Sequence, residues 1–240
     1  LKTMSEDSIA RNSKAMSMIP EKSLPILDQA ANRKRHDETL DVLYEGKLKL
    51  FQDRRGYRFS FDSLLLAHFM TCRRGEKIGD LGTGNGVIAL TLAYLHPSVT
   101  ITGVEIQLRM VDRASRNVRM NGFQERITIT RADVRNIEET LSPESFSAVV
   151  CNPPYRRTGS GRISPNVEKK IARHEIAAGL ADFLHAAAYL LPIKGRIAMV
   201  YPALRVVDLL QSMRNMNLEP KRLRMVHSFA DTKASLVLVE

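Results

Sequence analysis

The residues best suited to chemistry are Cys151-Asn152-Pro153-Pro154-Tyr155, which follow the apolar run 146–150 and open a long loop rich in Gly, Ser and Arg. A short apolar run between Pro143 and a double proline predicts a buried strand, with Asn152 at its carboxyl end. Open α/β sheets bind their ligands at that end. Each proline fixes its own φ, lacks an N–H and restricts the residue before it, so the Asn152 side chain and the Pro153 carbonyl are held in one orientation. Two acceptors then share one space, and Tyr155 offers a stacking face beside them. Such a socket suits a planar group with an exocyclic NH2, such as adenine. Taken alone, Asn-Pro-Pro is equally a turn after a strand.

A second set of residues lies upstream. Asp80-Leu81-Gly82-Thr83-Gly84-Asn85-Gly86 separates a predicted strand from a predicted helix. Glycines there permit φ > 0 and let a ligand approach with no Cβ in the way. The amino end of the following helix favours an anionic group such as a carboxylate. The spacing is Gly-x-Gly-x-Gly rather than the dinucleotide Gly-x-Gly-x-x-Gly, which disfavours a nicotinamide oxidoreductase. Glu105 follows the second strand, where its carboxylate could accept both hydroxyls of a ribose. Asp133 follows the third, where it could accept an adenine amine. Any one strand-end acid is as readily a solvated carboxylate, but three acids ending three consecutive strands, the first with a glycine loop, argue for a site.

Positioning these groups requires a particular order of elements. Strands are predicted over 77–81, 99–104, 127–130, 146–150, 196–200, 223–226 and 236–239, and helices over 86–95, 108–121, 137–141, 180–191 and 204–216. Met110, Ala114 and Val118 recur at four-residue spacing and give the second helix one apolar face. The alternation predicts an α/β fold: a Rossmann-like, mostly parallel seven-stranded sheet with helices on both faces. Ahead of it, residues 1–38 read as a flexible basic arm carrying Arg33-Lys34-Arg35-His36. Residues 39–75 read as an N-terminal hairpin and helix packed on the core. The hairpin is expected to have strands over 40–51 and 57–61 about a turn at Asp53-Arg54-Arg55-Gly56. Asp62 is the expected N-cap of the buried helix that follows, with His68 at the edge of the core.

The 240 residues suffice for one substantial core. Lys and Arg exceed Asp and Glu by 36 to 26, a net charge of +10, which favours a polyanionic partner, foremost nucleic acid. A plain solvated basic surface is the alternative. The two cysteines, Cys72 and Cys151, are too few and too far apart for a disulfide framework or a zinc site, and no metal is expected. Cys151 is expected as a buried free thiol. No apolar run reaches the ~18 residues of a membrane span and no signal-peptide core heads the sequence, so no membrane partner is expected and the cytoplasm is the expected compartment.

The order Asp80 with its glycine loop, Glu105, Asp133 and Asn-Pro-Pro-Tyr resembles the class I S-adenosylmethionine-dependent methyltransferases of the amino-methylating, small-domain type. The likeness spans about 76–240, which it implies to be an S-adenosylmethionine-binding catalytic domain. Further upstream, Gln52, then Gly56-Tyr57-Arg58-Phe59-Ser60-Phe61-Asp62-Ser63-Leu64-Leu65-Leu66-Ala67, and later Arg173-His174-Glu175, are similar to the bacterial enzymes that N6-methylate an adenine beside the anticodon of valine tRNA. The resemblance implies S-adenosyl-L-methionine as cofactor and RNA, foremost tRNA, as partner. It implies cofactor contacts from Asp80, Gly82, Thr83, Gly84, Gly86, Glu105, Ile106, Asp133, Val134 and Asn152. The glycine loop would meet the methionine part, Glu105 the ribose and Asp133 the adenine. Asn152, Pro153 and Tyr155 would hold the target amine. Residues before 39 lie outside the resemblance, and the family's usual extension past the last strand is not expected in this sequence.

On that reading the Asn152 side-chain oxygen and the Pro153 carbonyl accept the two N–H bonds of the exocyclic amine, and the rate comes mainly from positioning and oriented dipoles. The loop over 156–173 carries Arg156, Arg157, Arg162, Lys169, Lys170 and Arg173, expected to grip RNA phosphates as a lid, with His174-Glu175 ordering it. Rival readings are a protein-glutamine N5-methyltransferase acting on release factors, an RNA guanine-N2 methyltransferase, a DNA adenine methyltransferase and a non-catalytic RNA-binding module. The basic balance favours RNA over protein. A chain of this length leaves little room for a DNA target-recognition domain, and the intact Asn152 and glycine loop speak against a non-catalytic module.

Overall fold

The computed structural model of the chain describes residues 33–56, 58–154 and 178–240. Tyr155, Arg156, Arg157, Arg162, Lys169, Lys170, Arg173, His174, Glu175, Tyr57 and the arm before residue 33 lie outside the described residues. Among the described residues no helix is long and apolar enough to cross a membrane.

The polypeptide begins with a two-stranded antiparallel hairpin, β1 (Glu38–Leu43) and β2 (Leu48–Asp53), and the helix α1 (Phe61–Phe69). Then come β3 (Lys77–Leu81), α2 (Val87–Leu95), β4 (Thr100–Glu105), α3 (Leu108–Met120), β5 (Ile127–Arg131) and a 3-10 stretch Val134–Glu139. The last part runs β6 (Ala148–Cys151), α4 (Leu180–Leu190), β7 (Arg196–Pro202), α5 (Val206–Asn215), β8 (Leu223–His227) and β9 (Ala234–Val239). The seven-stranded sheet has the order β5-β4-β3-β6-β7-β9-β8, with β3 to β7 parallel and β9 antiparallel to its neighbours. It is the mostly parallel sheet expected from the alternating pattern.

Side chains alternate across a strand with a period of two, and the core divides accordingly. Ile78, Ala148, Val150, Ala198, Val200 and Leu238 face one layer, which contains α1, α2 and part of α3. Leu81, Val149, Cys151, Met199, Tyr201 and Val237 face the other, where α4 and α5 lie. Helix α2 is buried at every residue from Val87 to Ala93, as a helix apolar on all sides must be. At ~1.5–3 kcal/mol per large side chain, these two layers dominate the folding drive.

Chain winding makes the centre of the sheet special. From β3 the chain moves outward through β4 to β5, then returns to place β6 on the other flank of β3. Leu81 pairs with Cys151 in register, so the loops that leave β3 and β6 emerge side by side. This is the switch point at which α/β sheets open a crevice.

Two local expectations are corrected. The hairpin turns at residues 44–47, where Tyr44, Glu45 and Gly46 take φ of 51°, 55° and 89°, not at 53–56. Only Gly46 signals that turn, because Tyr and Glu seldom adopt left-handed backbone. Asp53–Gly56 does turn, with Asp53 Oδ1 accepting from the N–H groups of Arg55 (2.9 Å) and Gly56 (2.6 Å), but it leads to α1 rather than to a second strand. Helix α1 starts two residues earlier than Asp62 would allow as its cap. Ser60 occupies the cap position, and Asp62 sits in the first turn, where its charge favours the helix dipole.

The hairpin is fastened to α3 by polar groups. Glu38, fully buried, receives hydrogen bonds from Arg113 Nε (3.0 Å) and Arg116 Nη1 (2.9 Å), both arginines being buried as well. Burial pushes the Glu38 carboxyl up, but hydrogen bonds from Arg116, the Arg35 N–H and Arg113 outweigh it and bring the carboxyl down to about 2. One turn on, Asn117 accepts from the Phe51 N–H (2.7 Å) and donates to the Phe51 carbonyl (3.1 Å). Asn121 repeats the pattern at Lys49, at 2.9 and 2.7 Å. Two amide side chains thus continue the ladder of β2 on to a helix.

Candidate active site

Strand register brings the predicted residues to one rim. Gly82 and Thr83 both donate backbone N–H to the Val104 carbonyl (2.8 and 2.9 Å), and Ala132 N–H donates to the Glu105 carbonyl (3.1 Å). The loops after β3, β4 and β5 are therefore knitted edge to edge, with Asn152 on the far flank of the first.

The glycine loop is left-handed at Gly82, Gly84 and Gly86, with φ of 71°, 59° and 85°. At Gly82 the backbone also presses on Phe183 of α4, and an added Cβ would lie 3.2 Å from the ring. A side chain there is disfavoured twice, by conformation and by a tight contact. Glu105 is buried and closes the loop from the side: its Oε2 accepts from Gly84 N–H (3.1 Å) and its Oε1 from Gln107 N–H (2.9 Å). Burial raises its carboxyl above the usual range, against the N–H groups of Gln107, Gly84 and Ile106.

Asp80, at the end of β3, is fully buried. Its Oδ2 accepts from the Thr83 hydroxyl at 2.6 Å, while Oδ1 has no hydrogen-bond partner among the described residues. Burial pushes this carboxyl up to about 7, the Thr83 hydroxyl and Ala89 N–H opposing and the Glu105 carboxylate reinforcing. Leaving a buried acceptor unpaired costs ~1–3 kcal/mol. Such a carboxylate is suited to a cationic or donating guest. Cys151, free and buried beside it, has its thiol pushed up by burial and by Asp80.

Asp133 is differently placed. Its carboxylate is gripped by the Arg135 guanidinium (Nη2 to Oδ2, 2.5 Å) and caps the 3-10 stretch through Arg135 N–H (3.0 Å), which together hold it below the usual carboxylate range. Val134 is buried, and Ile106 is half-buried after β4. Asn152 is half-buried, with Nδ2 donating to Ser63 Oγ of α1 at 3.1 Å, and Pro153 is buried.

Three contacts lay outside the sequence reading. Asn85 of the glycine loop donates to Gln52 Oε1 (3.3 Å), which also takes the Phe59 N–H (2.9 Å). Ser63 holds Asn152, and Phe183 lies under Gly82. Their partners are distant in sequence, and the local signals were only a polar residue in an apolar helix and an aromatic one in another.

Residues 58–211 match the model of the methyltransferase small domain. The chain belongs to that family. The small-domain methyltransferases use S-adenosylmethionine as cofactor. The chain is 32% identical over 152 residues to the tRNA1(Val) (adenine(37)-N6)-methyltransferase of Tolumonas auensis, covering 63% of this chain and 62% of that protein. The protein of the same name from Parabacteroides distasonis is 27% identical over 196 residues, 81% of this chain and 80% of the relative. The chain thus spans less than two thirds of the length of the first of these. A crystal structure from Agrobacterium tumefaciens, described as a predicted O-methyltransferase, superposes with a TM-score of 0.59 at 23% identity over 74% of this chain and 78% of that one. That likeness shows the class I α/β fold.

The residues present fit the small-domain cofactor. S-adenosylmethionine carries an ammonium group and a sulfonium, and the rim offers at Asp80 a buried carboxylate oxygen without a partner among the described residues, beside a loop that has no Cβ at Gly82, Gly84 and Gly86.

Proposed function

We propose that this chain transfers a methyl group from S-adenosylmethionine to the N6 amine of an adenine in RNA, with tRNA beside the anticodon as the substrate. The observation that carries the reading is the Leu81–Cys151 register, which sets the glycine loop next to Asn152-Pro153-Pro154. The names of the relatives and the net charge of +10 support a tRNA partner. A tRNA substrate would place the protein in the cytoplasm.

Asp80, Gly82, Thr83, Gly84 and Gly86 would bind the methionine part, Glu105 the ribose, and Asp133, Ile106 and Val134 the adenine. When bound, S-adenosylmethionine supplies an electrophilic methyl on sulfur. The amine to be methylated is a poor nucleophile because its lone pair is delocalised into the ring. The Asn152 Oδ1 and the Pro153 carbonyl accept its two N–H bonds, draw the nitrogen toward tetrahedral geometry and aim the lone pair. Pro153 and Pro154 hold this corner rigid. Tyr155 would stack the base, which leaves its stacked context to enter. Residues 76–240 act as the catalytic domain and residues 39–75 as its brace.

Incubation with methyl-labelled S-adenosylmethionine, unmodified tRNA and a release factor, followed by nucleoside and amino-acid analysis, tests the reading. N6-methyladenosine is expected. Label appearing only in N2-methylguanosine, or only in release-factor glutamine, would overturn it.

A further inference from the structure

The contact between Asn152 and α1 has a chemical direction. An amide side chain has two ends of equal shape and opposite function, an oxygen that accepts and an NH2 that donates, and half a turn about its last torsion exchanges them. Only the accepting end can receive an amine N–H. In this protein Nδ2 of Asn152 is committed to Ser63 Oγ at 3.1 Å, so the end turned away from α1 is Oδ1.

Ser63 is well placed to hold that amide. It is 2% exposed, in the first turn of α1, whose Leu66, Ala67 and Phe69 are buried in the core. Just upstream, the Phe59 N–H is fixed on Gln52, which also holds Asn85 of the glycine loop. One short segment therefore anchors both halves of the rim, and Ser63 sits on a rigid element rather than a loop.

We infer that Ser63 is a positioning residue that holds the Asn152 amide in place for the acceptor amine. The inference rests on the proposed role of Asn152 and deepens it. Ser63 touches neither reacting group; it acts through Asn152.

The test uses the full chain and a tRNA that the wild type methylates. Ser63→Ala should lower kcat on the order of 10- to 100-fold, with KM for S-adenosylmethionine and the melting temperature close to wild type. Ser63→Thr, which keeps the hydroxyl, should restore most of the rate. A wild-type kcat in Ser63→Ala would overturn the inference, as would equal losses in both variants with a lowered melting temperature, which would mark a packing role. Selective 15N labelling of asparagine reads the contact without activity. The Asn152 NH2 should exchange slowly with solvent in the wild type and faster in Ser63→Ala, and equally fast exchange in both would sink the proposal. If the wild type methylates no RNA, the proposed function fails, and the exchange measurement still decides the Ser63–Asn152 bond.

Discussion

Helix α4 and the β1–β2 hairpin are held to the molecule in opposite ways. Helix α4 presents Phe183, Leu184, Ala186, Ala187 and Leu190 to one face of the sheet, a contact that is apolar and without direction. The hairpin buries Leu48 and Leu50, but it is aligned by Glu38 between Arg113 and Arg116 and by Asn117 and Asn121 along β2. The first kind of contact tolerates a change of shape at a graded cost. The second leaves a charge or an N–H stranded when one partner goes. The polar brace therefore adds register to the hairpin, and through Gln52 and Ser63 that register reaches the rim.

The largest break in this contrast should come from Glu38→Ala, which removes the buried carboxylate between Arg113 and Arg116 and should cost about 3–5 kcal/mol, measured by denaturant unfolding. The wild type should show the same loss in acid. Because the Glu38 carboxyl is lowered to about 2 from an ordinary 4.5, its contribution is complete above about 4.5 and disappears as pH falls through about 2. Stability of the variant should be the flatter over that window. Leu184→Ala, on the apolar side, should cost about 2–5 kcal/mol with the acid profile of the wild type retained. A smaller loss, about 1–3 kcal/mol, is expected from Asn117→Ala, which leaves the buried Phe51 N–H unpaired, and faster hydrogen exchange at Phe51 should accompany it. Smallest should be Glu219→Gln. Its ion pair with Arg214 (3.2 Å) is exposed on both sides, and the change should lower stability by under about 1 kcal/mol. If Glu219→Gln matched Glu38→Ala, the distinction between buried brace and surface pair would be lost.

The apolar half of this comparison was readable in the sequence and the polar half was not. Strands such as 146–150 and 196–200 announce themselves by short apolar runs between breakers, and Met110, Ala114 and Val118 by helical spacing. Asp80, Glu105 and Asn152 stood out because each ends a strand, a local relation. Arg113, Arg116 and Asn117 sit on α3 among residues of a type that usually faces water. Their partners Glu38 and Phe51 are more than sixty residues away, so no local pattern marks them. Ser63 escaped for the same reason, its partner being 89 residues distant. Residues 44–47 escaped because Tyr44 and Glu45 are of types that do not signal left-handed backbone.

The Leu81–Cys151 pairing has a further consequence for durability. Hydrogen-bonded strands stand ~4.8 Å apart, so the two loops that leave β3 and β6 are hung from one ladder at the stiffest part of the molecule. Partial melting at the margins, among β8 or the hairpin, would blunt alignment while leaving that spacing in place. Parting the two loops means opening the middle of the sheet, so their juxtaposition should persist until global unfolding.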